Sequence, residues 1–360
     1  MRTTDELKTL TEDYRSILED ANIDFAQLKQ ARILVSGATG FVGSLMIRAL
    51  LFADQELDLG LEIIGLARNR AKIEPIYGKN LPPRLTFLFG DITAPYEQYI
   101  SGFDRIDYIF HTANVTTSAY MVSNPVDTIR IAVMGTDQML RMAQDLHVKS
   151  LVYLSSMEMY GVFDEREAAT TIRTEKELGY VDLQVVRNCY PESKRMCESL
   201  CAAYHSQHGV PVKIARLAQT FGAGLLPWEG RIFSHIADCV IKGEDIVLHT
   251  KGLSEGNYCY SSDMIRGLLT ILLKGEDAEA YNVVNERNHS TIVGMVKMVC
   301  HEVAEDRIKV VYDIPEHNRF GYAQDTRLKL SGEKLQSLGW RPKYDLKQMY
   351  IRTIASLSEK

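Results

Sequence analysis

A chain of 360 residues with 46% apolar and 24% charged side chains has the make-up of a soluble globular protein of one or two domains. A net charge of -6 without any long Lys/Arg run excludes nucleic acid as the main partner, and no apolar run approaches the ~20 residues of a membrane span. The polar residues 1–30 lack the apolar centre of a signal peptide, which makes the cytoplasm the expected compartment.

In chain order, residues 1–30 carry Leu7, Leu10, Tyr14, Ile17 and Leu18 at three- and four-residue steps, and read as a helical N-terminal extension. Its apolar stripe packs either on its own chain or on a second subunit. The pattern then changes to a buried strand, Ala31–Ser36, followed by Gly37, Ala38, Thr39, Gly40, Phe41, Val42 and Gly43 and a helix to about Ala53. Strand, glycine turn and helix suit a dinucleotide: the glycines let the backbone approach a pyrophosphate, and the helix start offers free N–H groups to it. Further strands are expected at 61–67, 86–89, 106–111, 150–155 and 212–216, with a helix over Pro125–Asp145 between the strands 106–111 and 150–155. This alternation predicts an α/β fold, a Rossmann-type doubly wound parallel sheet over residues 31–216. Residues 217–360 read as a smaller, mainly substrate-binding domain that returns some segments to the sheet.

The connection 162–188 is rich in charge and poor in apolar periodicity, the kind of long loop that shapes a site. It leads into Tyr190, with Lys194 four residues on. On a helix these two share a face, and a neighbouring ammonium favours the phenolate that takes a proton from an alcohol. The six cysteines are scattered, which predicts reduced thiols, and no metal site is expected. Cys197, Cys201, His205 and His208 run along one helix, from which a single tetrahedral ion cannot easily collect its ligands.

Together, the glycine turn 37–43, the segment Ser155-Ser156-Met157-Glu158-Met159-Tyr160-Gly161 and Tyr190-Pro191-Glu192-Ser193-Lys194 resemble the extended short-chain dehydrogenase/reductases. Within them the chain is similar to nucleotide-sugar epimerases, 4,6-dehydratases and UDP-glucuronate decarboxylases. The resemblance implies that Gly37, Thr39, Gly40, Phe41, Val42 and Gly43 hold the dinucleotide, that Asp91 and Ile92 lie beside its adenine, and that Lys194 holds the nicotinamide ribose. It makes Tyr190 the catalytic base, Ser156 the hydroxyl that orients the substrate, and Glu158 a base near C5 of the sugar. Arg231, Arg216 and Thr220 fall on the substrate side, Arg231 as a candidate phosphate clamp. A homodimer is usual in such families.

Some positions depart from the family pattern. Met157 replaces the acid that protonates a leaving hydroxyl in the dehydratases, Ala132 replaces an asparagine, and Gly256 replaces an arginine at the nucleotide diphosphate. Arg68 stands where a carboxylate would select NAD, so NAD and NADP both stay open. The leading expectation is an NAD(P)-dependent enzyme acting on a nucleotide-sugar substrate through a 4-keto intermediate, with epimerase or decarboxylase-like chemistry ahead of 4,6-dehydration. An NADP-dependent keto-sugar reductase and a catalytically inactive dinucleotide-binding sensor or scaffold are the alternatives.

Overall fold

The computed structural model describes residues 8–100, 102–315 and 325–359. Its centre is a sheet of seven parallel strands in the spatial order Ala280–Val283, Val212–Leu217, Ser150–Ser156, Tyr108–His111, Arg32–Ser36, Glu62–Ala67 and Leu85–Phe89. The six strands read from the sequence all lie here, their ends shifted by a residue or two. The seventh, Ala280–Val283, is supplied by the last third of the chain.

Both faces of the sheet are covered, which explains why its strands are apolar along their whole length rather than alternating. Ile33 and Val35 point into a core shared with the helix Phe41–Leu57, whereas Leu34 between them points to the opposite core with Met139 and Cys197. That second core lies under the helices Pro125–Asp145 and Cys189–His208, which pack on each other. On the first face the helix Ser261–Lys274 is buried from Ser261 to Leu272, because the N-terminal segment lies over it.

That segment forms a helix, Lys8–Leu18, and a single 3-10 turn, Phe25–Leu28, capped by Asp24; the expected helical residues 1–7 lie outside the described residues. Its stripe packs on its own chain. Leu10 and Ile17 are buried, Tyr260 Oη donates to Asp13 Oδ2 at 2.8 Å, Arg352 Nη2 donates to Asp13 Oδ1 at 2.8 Å, and Thr9 Oγ1 donates to Glu359 Oε1 at 2.7 Å.

The C-terminal part adds a three-stranded sheet in which Glu255–Tyr260 pairs antiparallel with Asn285–Thr291 and parallel with Gln219–Phe221. Phe221 stacks on Phe233 at 4.7 Å between ring centres and meets Tyr350 at 4.8 Å, fastening the helices Ile232–Lys242 and Leu346–Ser358 to this sheet. The connection 162–188 is more ordered than its composition predicts. It holds a helix, Glu165–Thr170, and a short strand, Ile172–Arg173, that pairs in parallel with Lys329–Leu330. Among the described residues, no helix is long and apolar enough to cross a membrane.

Candidate active site

The chain starts its sheet in the middle and winds outward in both directions, so a crevice opens where the ends of Arg32–Ser36 and Tyr108–His111 diverge. Gly37 follows the first strand with φ +70, and a Cβ placed on it would lie 2.8 Å from the backbone of Ala113. At Gly43 a Cβ would lie 2.4 Å from the Gly37 carbonyl oxygen. No side chain fits at either position. Gly40 caps the helix Phe41–Leu57 without any side-chain acceptor, and Thr39, Phe41 and Val42 stand half-buried around the turn. Tyr77 Oη braces it by donating to the Ala38 carbonyl at 2.6 Å. An uncapped helix start behind a side-chain-free turn fits a dinucleotide pyrophosphate.

Across the crevice, Ser156 ends its strand and Tyr190 and Lys194 stand in the first turns of Cys189–His208. The Ser156 hydroxyl is close enough to the Tyr190 phenol to favour its ionised form. Lys194 Nζ donates to the Leu154 carbonyl at 2.5 Å and lies 5.7 Å from the Tyr190 ring centre and 4.9 Å from that of Tyr153. The three predicted residues are brought together, but the electrostatics differ from the expectation. Burial pushes the Tyr190 phenol above its ordinary range, and the negative charge of Glu158 adds to this, against the nearby Ser156 hydroxyl and the charges of Arg187 and Arg231. Burial also brings Lys194 down to about 8.

Glu158 sits in the 3-10 turn Met157–Tyr160, whose first N–H groups are capped by Ser156 Oγ, the acceptor from Glu158 N at 3.2 Å. Its Oε2 is 3.0 Å from Arg187 Nη2, which also donates to Ser118 Oγ at 3.3 Å. Arg187 was not anticipated, because its partner is far away along the chain. A second unanticipated group is buried behind the crevice: His111 Nδ1 is 2.8 Å from Ser36 Oγ and Nε2 is 3.2 Å from Thr136 Oγ1. Burial lowers His111 to about 3, so the ring is neutral at any ordinary pH, and Thr112 Oγ1 donates to the Ser36 carbonyl at 2.6 Å beside it.

Toward the expected adenine end, Asp91 accepts from Thr93 N and Oγ1 at 2.9 and 2.8 Å, bonds that hold its carboxyl low, and Arg68 contributes to the same end. Ile92 packs over Gly135, where a Cβ would lie 3.0 Å from its side chain. The exposed Arg70 lies 3.7 Å over the Phe89 ring. Lys72 lies 4.6 Å over Trp228, and Arg231 lies 5.6 Å from the Phe41 ring centre, so the segment around 228–231 reaches the outer end of the glycine turn.

The expected substrate contacts fare less well. Arg231 faces the site, but its fork is taken by Glu229 at 3.0 Å through both Nε and Nη2, and Nη1 donates to the Thr220 carbonyl at 3.1 Å. Thr220 is buried and donates to the Ala218 carbonyl at 3.0 Å. Arg216 is buried with its donors engaged by the protein: it chelates Glu198 through Nε and Nη2, and gives Nη1 to Tyr160 Oη at 3.0 Å and the Glu175 carbonyl at 2.8 Å. Ala132 is buried in the core under the sheet, its carbonyl accepting from Thr136. Met157 lies against Gly256, joining the two departures at one place. Cys197 and Cys201 face the core and His205 Nδ1 meets the Val210 carbonyl; no group of three or more metal-holding side chains occurs among the described residues.

The sequence model of the NAD dependent epimerase/dehydratase family matches residues 33–285. UDP-glucuronic acid decarboxylase 6 of Arabidopsis thaliana is 29% identical over 318 residues, covering 88% of this chain and 86% of the relative. The structure of UDP-glucose 4-epimerase from Thermotoga maritima, solved with UDP-glucose, superposes with a TM-score of 0.76 at 22% identity, covering 91% of this chain and 99% of that one. That of UDP-glucuronic acid 4-epimerase from Bacillus cereus, in complex with UDP-glucuronic acid and NAD, gives 0.73 at 19% identity, with the same coverage. These two likenesses concern the fold.

Proposed function

The chain belongs to the NAD dependent epimerase/dehydratase family, and from that we propose that it remodels a nucleotide-activated sugar through a 4-keto intermediate with NAD as cofactor. The observation that carries this reading is the cluster of Ser156, Tyr190 and Lys194 across the crevice from a side-chain-free turn. Bound nicotinamide would supply the hydride acceptor for C4 and, after the second stage, the hydride donor that reduces the 4-ketone again. The protein's own part is to hold and move protons. Tyr190 Oη receives the proton of the sugar C4 hydroxyl, Ser156 orients that hydroxyl, and Lys194, fixed on the Leu154 carbonyl, holds the nicotinamide ribose and favours the phenolate. The 4-ketone then acidifies C5 or activates a C5 carboxylate for loss of carbon dioxide. Glu158 serves that second stage.

Epimerisation or decarboxylation is favoured over 4,6-dehydration because the thioether of Met157 has no proton for a leaving hydroxyl. The similarity to UDP-glucuronic acid decarboxylases over most of both chains supports a decarboxylase or a close variant of one. We assign residues 31–216 to cofactor binding and 217–360 mainly to the substrate, and place the protein in the cytoplasm, where its six free thiols are stable. We also assign it a homodimer through the paired helices Pro125–Asp145 and Cys189–His208, supported by Val126, Ile129, Met134 and Met196, which are 45–58% exposed on them.

The test is a panel of sugar nucleotides read by product mass. Loss of carbon dioxide, unchanged mass or loss of water separates decarboxylation, epimerisation and dehydration. The mass of the dinucleotide released from purified protein identifies NAD or NADP. An inert panel combined with tight dinucleotide binding would reject the enzyme reading.

A further inference from the structure

We propose that Arg187 is a positioning residue of this site: it fixes Glu158 beside Tyr190 and cancels its charge, so that this pair, together with Lys194, sets the pH at which Tyr190 accepts a proton. The proposal rests on the assignment of Tyr190 as the base. It starts from geometry. Glu158 leaves the end of strand Ser150–Ser156, Arg187 stands three residues before Tyr190 in the turn Val186–Asn188, and Ser118 opens the helix Ser118–Ser123. Arg187 Nη2 joins all three segments, at 3.0 Å to Glu158 Oε2 and 3.3 Å to Ser118 Oγ. The Arg187 side chain is only 12% exposed, and its Nε is buried without a protein partner. A largely shielded guanidinium with one donor unengaged is anchored through its carboxylate partner, and the charge of that carboxylate acts on the Tyr190 phenol.

The charges around Tyr190 come from every side. Glu158 follows the strand, Arg187 precedes the helix, Arg231 comes from the C-terminal part, and Lys194 lies on its own helix with Nζ 5.7 Å from the ring centre. Arg231 is already matched by Glu229, and His111 behind Lys194 is neutral. Glu158 and Arg187 are therefore the two opposed charges that reach the phenol as a pair, beside Arg231 and Lys194. Arginine keeps its charge at any working pH, so the balance fails only when one partner is removed.

The experiment titrates Tyr190 in the NAD complex from the phenolate absorbance, as the difference between each protein and its own Tyr190→Phe counterpart. Glu158→Gln leaves Arg187 unbalanced and should move the titration down by about one pH unit. Arg187→Gln leaves Glu158 unbalanced and should move it up by a similar amount, and the double variant should return toward wild type. Dinucleotide binding and far-ultraviolet circular dichroism establish that each variant is folded. If Arg187→Gln does not fold, Arg187→Lys replaces it and should titrate like wild type while Glu158→Gln still moves down. Coincident titrations, shifts of the same sign, or no titration in any protein across the accessible range would overturn the proposal. The readout needs no substrate, so it stands apart from the outcome of the sugar-nucleotide panel.

Discussion

Met157 lies over Gly256: a Cβ added at residue 256 would come within 2.9 Å of the methionine Cε. Two positions about a hundred residues apart thus share one space. Met157 is 7% exposed and packs with Met159, Tyr160, Ala218, Val284, Leu328 and Leu330. Met157→Asp should bury an unpaired carboxylate there and lower stability by about 3 kcal/mol, read from urea unfolding. Gly256→Ala displaces only the far end of a flexible side chain and should cost about 1 kcal/mol in the same measurement.

Tyr190→Phe removes the proton acceptor and leaves the packing of the ring in place. Turnover of the sugar nucleotide found in the panel should fall at least ~100-fold in kcat, while NAD binding measured by calorimetry stays within a factor of a few. Turnover close to wild type would assign the proton to another group.

Burial holds Lys194 down to about 8 in the folded protein, against 10.5 for an exposed lysine. Its folded value is lowered, so between these two pH values the unfolded chain binds the extra proton and stability rises with pH. The gap corresponds to roughly 3 kcal/mol. Urea midpoints measured from pH 8 to 10.5 should therefore rise for wild type relative to Lys194→Met, and the subtraction removes the tyrosines that titrate in the same window. A difference independent of pH would mean that the ammonium is better solvated than its burial implies.

Asp13 is 2% exposed and accepts from both Tyr260 and Arg352. Asp13→Ala should leave that arginine without its inner partner, costing about 3–5 kcal/mol, and should expose the helix Lys8–Leu18 to early proteolysis. Ile129→Glu with Met196→Glu, both on exposed apolar positions, should convert a dimer to a monomer in sedimentation velocity without changing the circular dichroism.

What was legible in the sequence was what depends on short spacing. The glycine turn, the six strands and the Tyr190–Lys194 step are local patterns, and backbone geometry carries them directly into space. Spacing also placed Lys194 beside Tyr190, yet it could not show the burial that raises the phenol, nor the Leu154 carbonyl to which the ammonium donates. Arg216 looked like a ligand contact because no local feature reveals Glu198, its partner from the neighbouring helix. The Arg187–Glu158 pair crosses the connection 162–188, whose composition gave no hint of its course. Arg231 is different: Glu229 stands two residues earlier, and the pairing was readable from that proximity.

The chain has two tryptophans. Trp340 is fully buried and donates its indole N–H to the Asp263 carbonyl, whereas Trp228 is 41% exposed and lies over Lys72 at the outer end of the glycine turn. One emitter is therefore constant and the other stands at the entrance of the crevice. Arrival of a dinucleotide should therefore change the emission of Trp228 and leave that of Trp340 alone, and a titration whose signal survives Trp228→Phe would show that the crevice is read elsewhere.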